Sequence, residues 1–506
     1  MKYENKIEDH PKSISLEGIE IMKKNICKIN IGNKTGIGYF CKLPLLDEND
    51  LLSVLITNNY IIDESILKNE KKIKIILDNE EKEIELENRI KYTNKEYDIT
   101  IIEIKEINKI NNYIEIDNNK ISNISYKGES IYMIYYSGNK IRVSYGIIKE
   151  ENKNEFINIC NIEKDSIGGL ILNMKNNRII GMNKGRLKVD EYNKVLFMEY
   201  IIKEFNYYNP KLDLSNKEIG DKELEKKLEN INKKELKELN LCVNNISDIK
   251  ILEKVKFDKL EVLDLGYNKI SNNIKILENV NFKELIELYL NDNNISDIKV
   301  LEKVKFDKLE VLNLGDNNLS NNIKILENVN FNVLKDLFLN NNNISDINVL
   351  EKVNFKELIV LFLNDNKISD IQVLAKVKFD KLEILNLGYN KISNIEILEN
   401  ANFKELKKLY LNNNNISDIK VLENVKLDKL EELNLGYNKI SNIKILENVN
   451  FKELKKLYLN NNKISEIKVL EKVKFDKLEK LDLSWNGIDE YNSSIDNLKS
   501  KFDIYL

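Results

Sequence analysis

The chain runs to 506 residues, with 79 Lys and Arg against 83 Asp and Glu and a formal net charge of −4. That length exceeds what one core serves, so two or more domains are expected, and the interspersed charges give no argument for a nucleic-acid partner. Four cysteines without CxxC spacing, no apolar leader and no apolar run near the ~18 residues of a membrane span predict a cytoplasmic protein with no metal or other cofactor.

In chain order, residues 1–21 are polar and expected to be loosely ordered; His10, the only histidine, lies there. From 22 to 208 the texture changes to short β runs divided by polar turns, at 54–57, 73–77, 98–104, 130–136, 141–148, 156–161, 170–174 and 178–183. Repeated strands without long helices between them predict an antiparallel barrel or sandwich. Gly36 and Gly38 are too sparse for a phosphate loop, and Cys41 and Cys160 read as small core residues.

Four places in this stretch stand in a familiar order. They are Thr35-Gly36-Ile37-Gly38-Tyr39-Phe40, then 54–62 (VLITNNYII), then Tyr97-Asp98-Ile99-Thr100-Ile101-Ile102, then 165–172 (DSIGGLIL) with Ile179-Ile180-Gly181-Met182 after it. Together they resemble the chymotrypsin-like serine peptidases over about 180 residues. The resemblance implies a double barrel, with the general base at Tyr60, the orienting carboxylate at Asp98 and the nucleophile at Ile167. Two of those three positions cannot do the chemistry. A phenol with a pKa near 10 is a poor base at neutral pH, and isoleucine has no nucleophilic atom. Ser166, one place early, would still need a base, and loss of nucleophile or base alone costs about 10⁶ in kcat in a serine peptidase. The expectation is a pseudoprotease. An active peptidase targeted by the rest of the chain is the alternative. In the plainest reading Tyr60 is a turn residue and Asp98 caps a strand.

Tyr207 to Lys211 marks a boundary, and 209–235 reads as a cap, with Leu224, Leu228 and Ile231 on one helical face. From 236 to 490 one motif, LxxLxLxxN, is written eleven times, opening at Leu236, Leu260, Leu285 and so on to Leu478. The spacing is 24 residues, or 25 where an extra Asn enters at Asn272-Asn273 and Asn321-Asn322. The pattern resembles the leucine-rich repeat family, which implies a solenoid. The residues support this independently. Alternating Leu predicts a short strand with one buried face, and the ninth-position Asn predicts a ladder bonding turn backbone. Ile298, Leu301 and Val304, at helical spacing, predict a short return helix. Residues 491–506 form a second cap, with Trp485, Tyr491, Leu498 and Phe502 expected to cover the last turn.

The fold class expected is therefore multidomain. An N-terminal all-β chymotrypsin-like double barrel precedes a C-terminal α/β leucine-rich-repeat solenoid, a curved parallel sheet with short convex helices. The functional expectation is a scaffold that binds a protein partner on the concave side of the repeats, without nucleic acid or membrane. Its candidate binding residues occupy the fifth and eighth positions of the motif: Tyr267, Tyr289, Phe338, Phe362, Tyr389, Tyr410, Tyr437, Tyr458 and Trp485. Exposed aromatics interleaved with amides suit protein recognition. Two alternatives stay open: that repeat duplication copied these residues without a ligand, and that the β domain is only a structural cap.

Overall fold

The computed structural model describes residues 24–45, 51–87, 89–105, 110, 112–117, 125–137, 140–161, 169–186, 192–229, 231, 234–489 and 493–506. The chain divides into two units, Met1–Pro210 and Lys211–Leu506.

Among the described residues, thirteen antiparallel strands build the first unit. They are β1 (Ile26–Ile31), β2 (Lys34–Pro44), β3 (Leu51–Thr57), β4 (Lys72–Leu77), β5 (Glu80–Glu85), β6 (Lys91–Asn94) and β7 (Ile99–Glu103), then β8 (Ser130–Ser137), β9 (Lys140–Glu151), β10 (Glu155–Asn158), β11 (Leu170–Asn173), β12 (Ile179–Arg186) and β13 (Asn193–Phe197). The last six close into a barrel in the order β10-β13-β12-β11-β8-β9. The first seven form a sheet in the order β5-β4-β1-β2-β3-β7-β6. Where two barrels were expected, the described residues thus form one closed barrel and one open sheet. Charge explains the open edge at β5. Its sequence is EEKEIE, only Ile84 is buried, and Glu81 and Glu83 pair with Lys74 and Lys72 of β4. An acidic edge resists a further strand.

One core cluster joins Ile26, Tyr39, Val54 and Ile101 of the open sheet to Tyr132, Phe156, Leu172 and Phe197 of the barrel. A second cluster lies over Cys27, Phe40, Leu55 and Ile102, roofed by Ile61, Ile62 and Leu67. Gly36 and Gly38 earn their places here by packing. A Cβ at Gly36 would strike the side chain of Ile61, and one at Gly38 those of Leu55, Cys27 and Ile29. The buried Tyr39 hydroxyl staples the sheet to the barrel, donating to the Ile134 carbonyl at 3.2 Å and accepting from the Leu170 N–H at 3.2 Å.

The second unit is a single parallel sheet of thirteen strands in strict sequence order, from Lys211–Asp213 to Asp503–Tyr505. Each repeat strand is three residues long, with its central Leu buried and its flanking residues half-buried, except for the exposed Lys456. Stacking, not any one copy, buries the leucines of the first, fourth and sixth positions. A column of buried phenylalanines runs behind them (Phe257, Phe282, Phe306, Phe331, Phe355, Phe379), with Phe282 and Phe306 stacked at 6.4 Å.

The asparagine ladder is present. Asn390 Nδ2 donates to the carbonyls of Leu387 and Gly388 in its own copy, and to Leu363 of the copy before at 2.9 Å. Its Oδ1 accepts from the Ile368 N–H at 2.9 Å. One side chain therefore satisfies turn groups in two copies, and the pattern recurs at Asn268, Asn366 and Asn414.

The return segments are tighter than the helix read from the sequence. Behind Ile298 the chain makes a four-residue 3₁₀ turn, Lys299–Glu302, entered through an Asp297 carboxylate that accepts from the Lys299 N–H at 2.8 Å. A 3₁₀ helix rises about 2.0 Å per residue against about 1.5 Å for an α-helix, so a 24-residue copy spans its return with fewer residues. The inserted asparagines lengthen this segment to nine residues in two copies, Ser271–Asn279 and Ser320–Asn328.

Both ends are covered. At the start, the helix Asp221–Glu229 buries Leu224 and Leu228, and Asp221 accepts from the Ser247 and Asp248 N–H groups. At the far end, the helix Ser494–Lys499 buries Ile495 and Leu498. Trp485 does not cover the last turn as expected: it stands 79% exposed. Tyr491, the other aromatic expected there, lies outside the described residues.

Candidate functional site

Strand alternation sends the fourth-position Leu inward and the third and fifth positions outward, with neighbouring strands about 4.8 Å apart. Register places equivalent residues side by side, so Phe338 pairs with Phe362, and Asp336 lies between Val311 and Val360. Two kinds of copy mostly alternate along this face. One kind has an aromatic at the fifth position; the other has Asn or Asp there, whose carbonyl or carboxylate oxygen accepts from the seventh-position N–H, as Asn386 does from Gly388 at 3.0 Å. The alternation slips twice, between the first and second copies, both polar (Asn240, Asp264), and between the fifth and sixth, both aromatic. There Phe338 and Phe362 meet edge-to-face, with ring centroids 5.2 Å apart.

The nine aromatics expected to bind fall into two groups. Tyr289, Phe338, Phe362, Tyr410 and Tyr458 are half-buried on the strands. Tyr267, Tyr389, Tyr437 and Trp485 sit at the eighth position, past the strand end, on exposed turns. Every eighth position has left-handed backbone, with φ from 50° to 59°. Asn and Asp take that conformation readily; Tyr, Trp and Val do so at a cost. Phe338, Phe362, Tyr389 and Tyr410 therefore form no contiguous strip. Asn386 separates Phe362 from Tyr410 along the strands, and Tyr389 stands at the turn.

Electrostatics shape the same face. The Tyr289 hydroxyl donates to Glu287 at 2.8 Å, and burial together with Glu287 raises its phenol well above the usual range. Burial and Glu432 push Tyr410 up to about 12. Lys480 lies 5.3 Å from the Tyr458 ring and 4.6 Å from that of Tyr505. Asp264 and Asp336 are both raised above the ordinary carboxylate range, chiefly by burial. Asp336 was missed because only the fifth and eighth columns were read as exposed. The third column, with Glu287 and Asp336, carries the signal.

The peptidase-like positions have a different geometry. Asp98 Oδ1 accepts from the Tyr60 N–H at 2.8 Å, and its Oδ2 accepts from Asn58 Nδ2 at 2.9 Å. Burial raises its pKa, while these bonds oppose the rise. Asp98 thus anchors the 58–60 turn through backbone and amide, from a left-handed φ of 51°. The Tyr60 ring is exposed, with Lys34 Nζ 5.5 Å from its centroid. Ser166 and Ile167 lie outside the described residues.

Elsewhere, a cleft of 370 Å³ opens between the return segments of the eighth and ninth copies, lined by Asp418, Lys420, Lys444 and Glu447 among others. It has mixed charge and no aromatic residue. Among the described residues no group of three or more His, Cys, Asp or Glu is disposed to hold a metal, and no helix is long and apolar enough to cross a membrane.

The repeat geometry defines the class of the second unit: it is a leucine-rich-repeat solenoid. The family model for leucine-rich repeats (two copies) matches residues 356–400 and 404–448. Among solved structures, an internalin from Listeria monocytogenes is 30% identical over 63% of this chain and 91% of that one, with a TM-score of 0.47. A leucine-rich-repeat protein of Leptospira interrogans is 23% identical over 60% of this chain and 74% of that one, with a TM-score of 0.42. The Rv3671c protease in an inactive form is 12% identical over 36% of this chain and 88% of that one, with a TM-score of 0.28. No curated protein matches the chain.

Proposed function

We propose that the chain is a non-catalytic scaffold that binds a protein partner on the outward sheet face, the concave side of the array. The observation that carries this reading is the Phe338–Phe362 pair, half-buried near the middle of a face of short, aligned strands. Aromatic anchors at a desolvated centre, ringed by polar residues, dominate protein recognition. Truncating Phe362 to Ala costs about 2 kcal/mol or more in partner affinity, roughly thirtyfold in Kd. Lys420→Ala, on a return segment, costs little. Calorimetry on folded variants checks this, and equal losses from the two changes would move the binding surface elsewhere.

In the same reading the N-terminal unit is a degenerate chymotrypsin-like domain. Its support is the order of the four sequence segments and the absorption of Asp98 into backbone contacts. A fluorophosphonate probe is expected to leave the chain unlabelled; labelling at Ser166 that Ser166→Ala abolishes would restore the peptidase. The four unpaired cysteines, three of them buried, suit a reducing, cytoplasmic setting.

A further inference from the structure

The outward face is not uniform in charge. In the second to seventh copies the third, fifth and eighth positions hold six carboxylates (Asp264, Glu287, Asp292, Asp316, Asp336 and Asp365) and no Lys or Arg. In the eighth to eleventh copies the third position is basic in three of four, with Lys408, Lys456 and Lys480 beside Glu432. The whole chain carries only −4, so the acidic stretch reflects segregation of charge and not an acidic composition.

Asp336 sits at the centre of this stretch. It is half-buried between Val311 and Val360, and on the same strand as Phe338. Its backbone N–H donates to the Glu310 carbonyl at 3.0 Å, but, unlike the carboxylate of Asp316, which accepts from Asn340 and Asn341, its carboxylate has no hydrogen bond or ion pair among the described residues. The neighbouring Lys335 ammonium is engaged by Glu310 at 2.8 Å. A carboxylate flanked by valines on both neighbouring strands is poorly solvated; Glu287 and Glu310 add repulsion, which the Lys335 charge offsets in part. An incoming cation relieves both, and ring faces attract the same cation.

From this charge complementarity we infer that the sheet face of the second to seventh copies docks a partner segment bearing lysine or arginine, seated against Asp336 and the Phe338–Phe362 pair. The inference rests on the proposed protein-binding function and names the chemistry of the partner. An apolar or acidic segment is the competing occupant.

The test is selection from an unbiased random-peptide display library against the full chain, followed by anisotropy titrations of the enriched peptides with two double variants. Asp336→Asn with Glu287→Gln neutralises the face; Glu396→Gln with Glu423→Gln removes the same charge from the return segments. The expected result is enrichment of Lys/Arg-bearing peptides that bind the face variant at least tenfold more weakly and the return-segment variant within twofold of the parent. Equal weakening by both variants would mean non-specific attraction to an acidic protein and overturn the inference. Enriched peptides that are neutral or acidic, yet depend on Phe362, overturn the charge inference and leave the binding face standing. No enrichment, or enriched peptides indifferent to Phe362→Ala, counts against both.

Discussion

The two units are held together on different length scales. In the solenoid a side chain's partners lie one copy away: Asn390 reaches Leu363 and Ile368, and Asn414 reaches Leu387 and Ile392. In the N-terminal unit the ties span the unit. Tyr39 meets Leu170, the Tyr97 and Tyr200 hydroxyls share a hydrogen bond of 2.8 Å, and Asn206 donates to the Pro44 carbonyl. The lesson is mechanical. A solenoid gains stability copy by copy and loses it locally, whereas a sheet joined to a barrel closes, or opens, as a whole.

Substitutions can sharpen or break that contrast, and the largest effect belongs in the solenoid core. Leu361, fully buried at the centre of its strand, has no slack around it. Leu361→Ala should cost about 2–5 kcal/mol in urea unfolding, with hydrogen exchange rising in the adjoining copies and unchanged in residues 24–208. Uniform loosening of both units would break the comparison.

A ladder rung comes next. Asn390→Ala leaves turn groups of two copies unpaired and should cost about 1–3 kcal/mol, while Lys391→Ala should change stability by less than about 0.5 kcal/mol. Equal urea midpoints for the two variants would contradict a buried column. Tyr39→Phe makes a similar cut in the other unit, removing the hydroxyl that bridges the Leu170 N–H and the Ile134 carbonyl, for about 1–2 kcal/mol. Here exchange should rise across the open sheet and the barrel together. A response confined to β2 would show that the first unit also yields locally.

Two small effects probe the outward face. Tyr389→Asn puts a residue at ease in left-handed backbone and should stabilise the solenoid by less than about 1 kcal/mol. A loss would mean that the exposed ring packs usefully. Asp336→Asn should raise the urea midpoint at pH 7. Its folded pKa lies above the unfolded one, so wild-type stability grows as pH falls and the carboxylate takes up a proton. Below the unfolded value of about 3.9 both states are protonated and the advantage of the variant disappears. A pH-independent gain would trace the effect to packing.

Legibility from sequence followed the same divide. The solenoid repeats its instructions every 24 or 25 residues, so its strands and its Asn column could be read from the leucines and asparagines. Backbone conformation could not: a tyrosine after Gly388 gives no hint of left-handed φ, and Trp485 looked like a cover because large rings are usually buried. The N-terminal unit says each thing once. Its strands β3, β4 and β7, rich in leucine or isoleucine, stood out, whereas β5 hides its single buried residue among charges and β13 (NKVLF) is too short to show a period. The helix Met198–Tyr208 was missed because its Tyr, Ile and Phe residues favour strands as readily. Of the peptidase-like positions, Tyr60 and Asp98 do come together, but as a turn and its anchor.

Hydroxyl-radical footprinting of the full chain, with and without a peptide taken from the selection, tests the assignment of binding to the solenoid face most directly. Aromatic side chains in both units report at once. Bound peptide should shield Phe338 and Phe362 and leave the exposed rings of Tyr60, Tyr145 and Tyr207 in the N-terminal unit as reactive as before. Shielding of those tyrosines, with Phe338 and Phe362 unchanged, would contradict it.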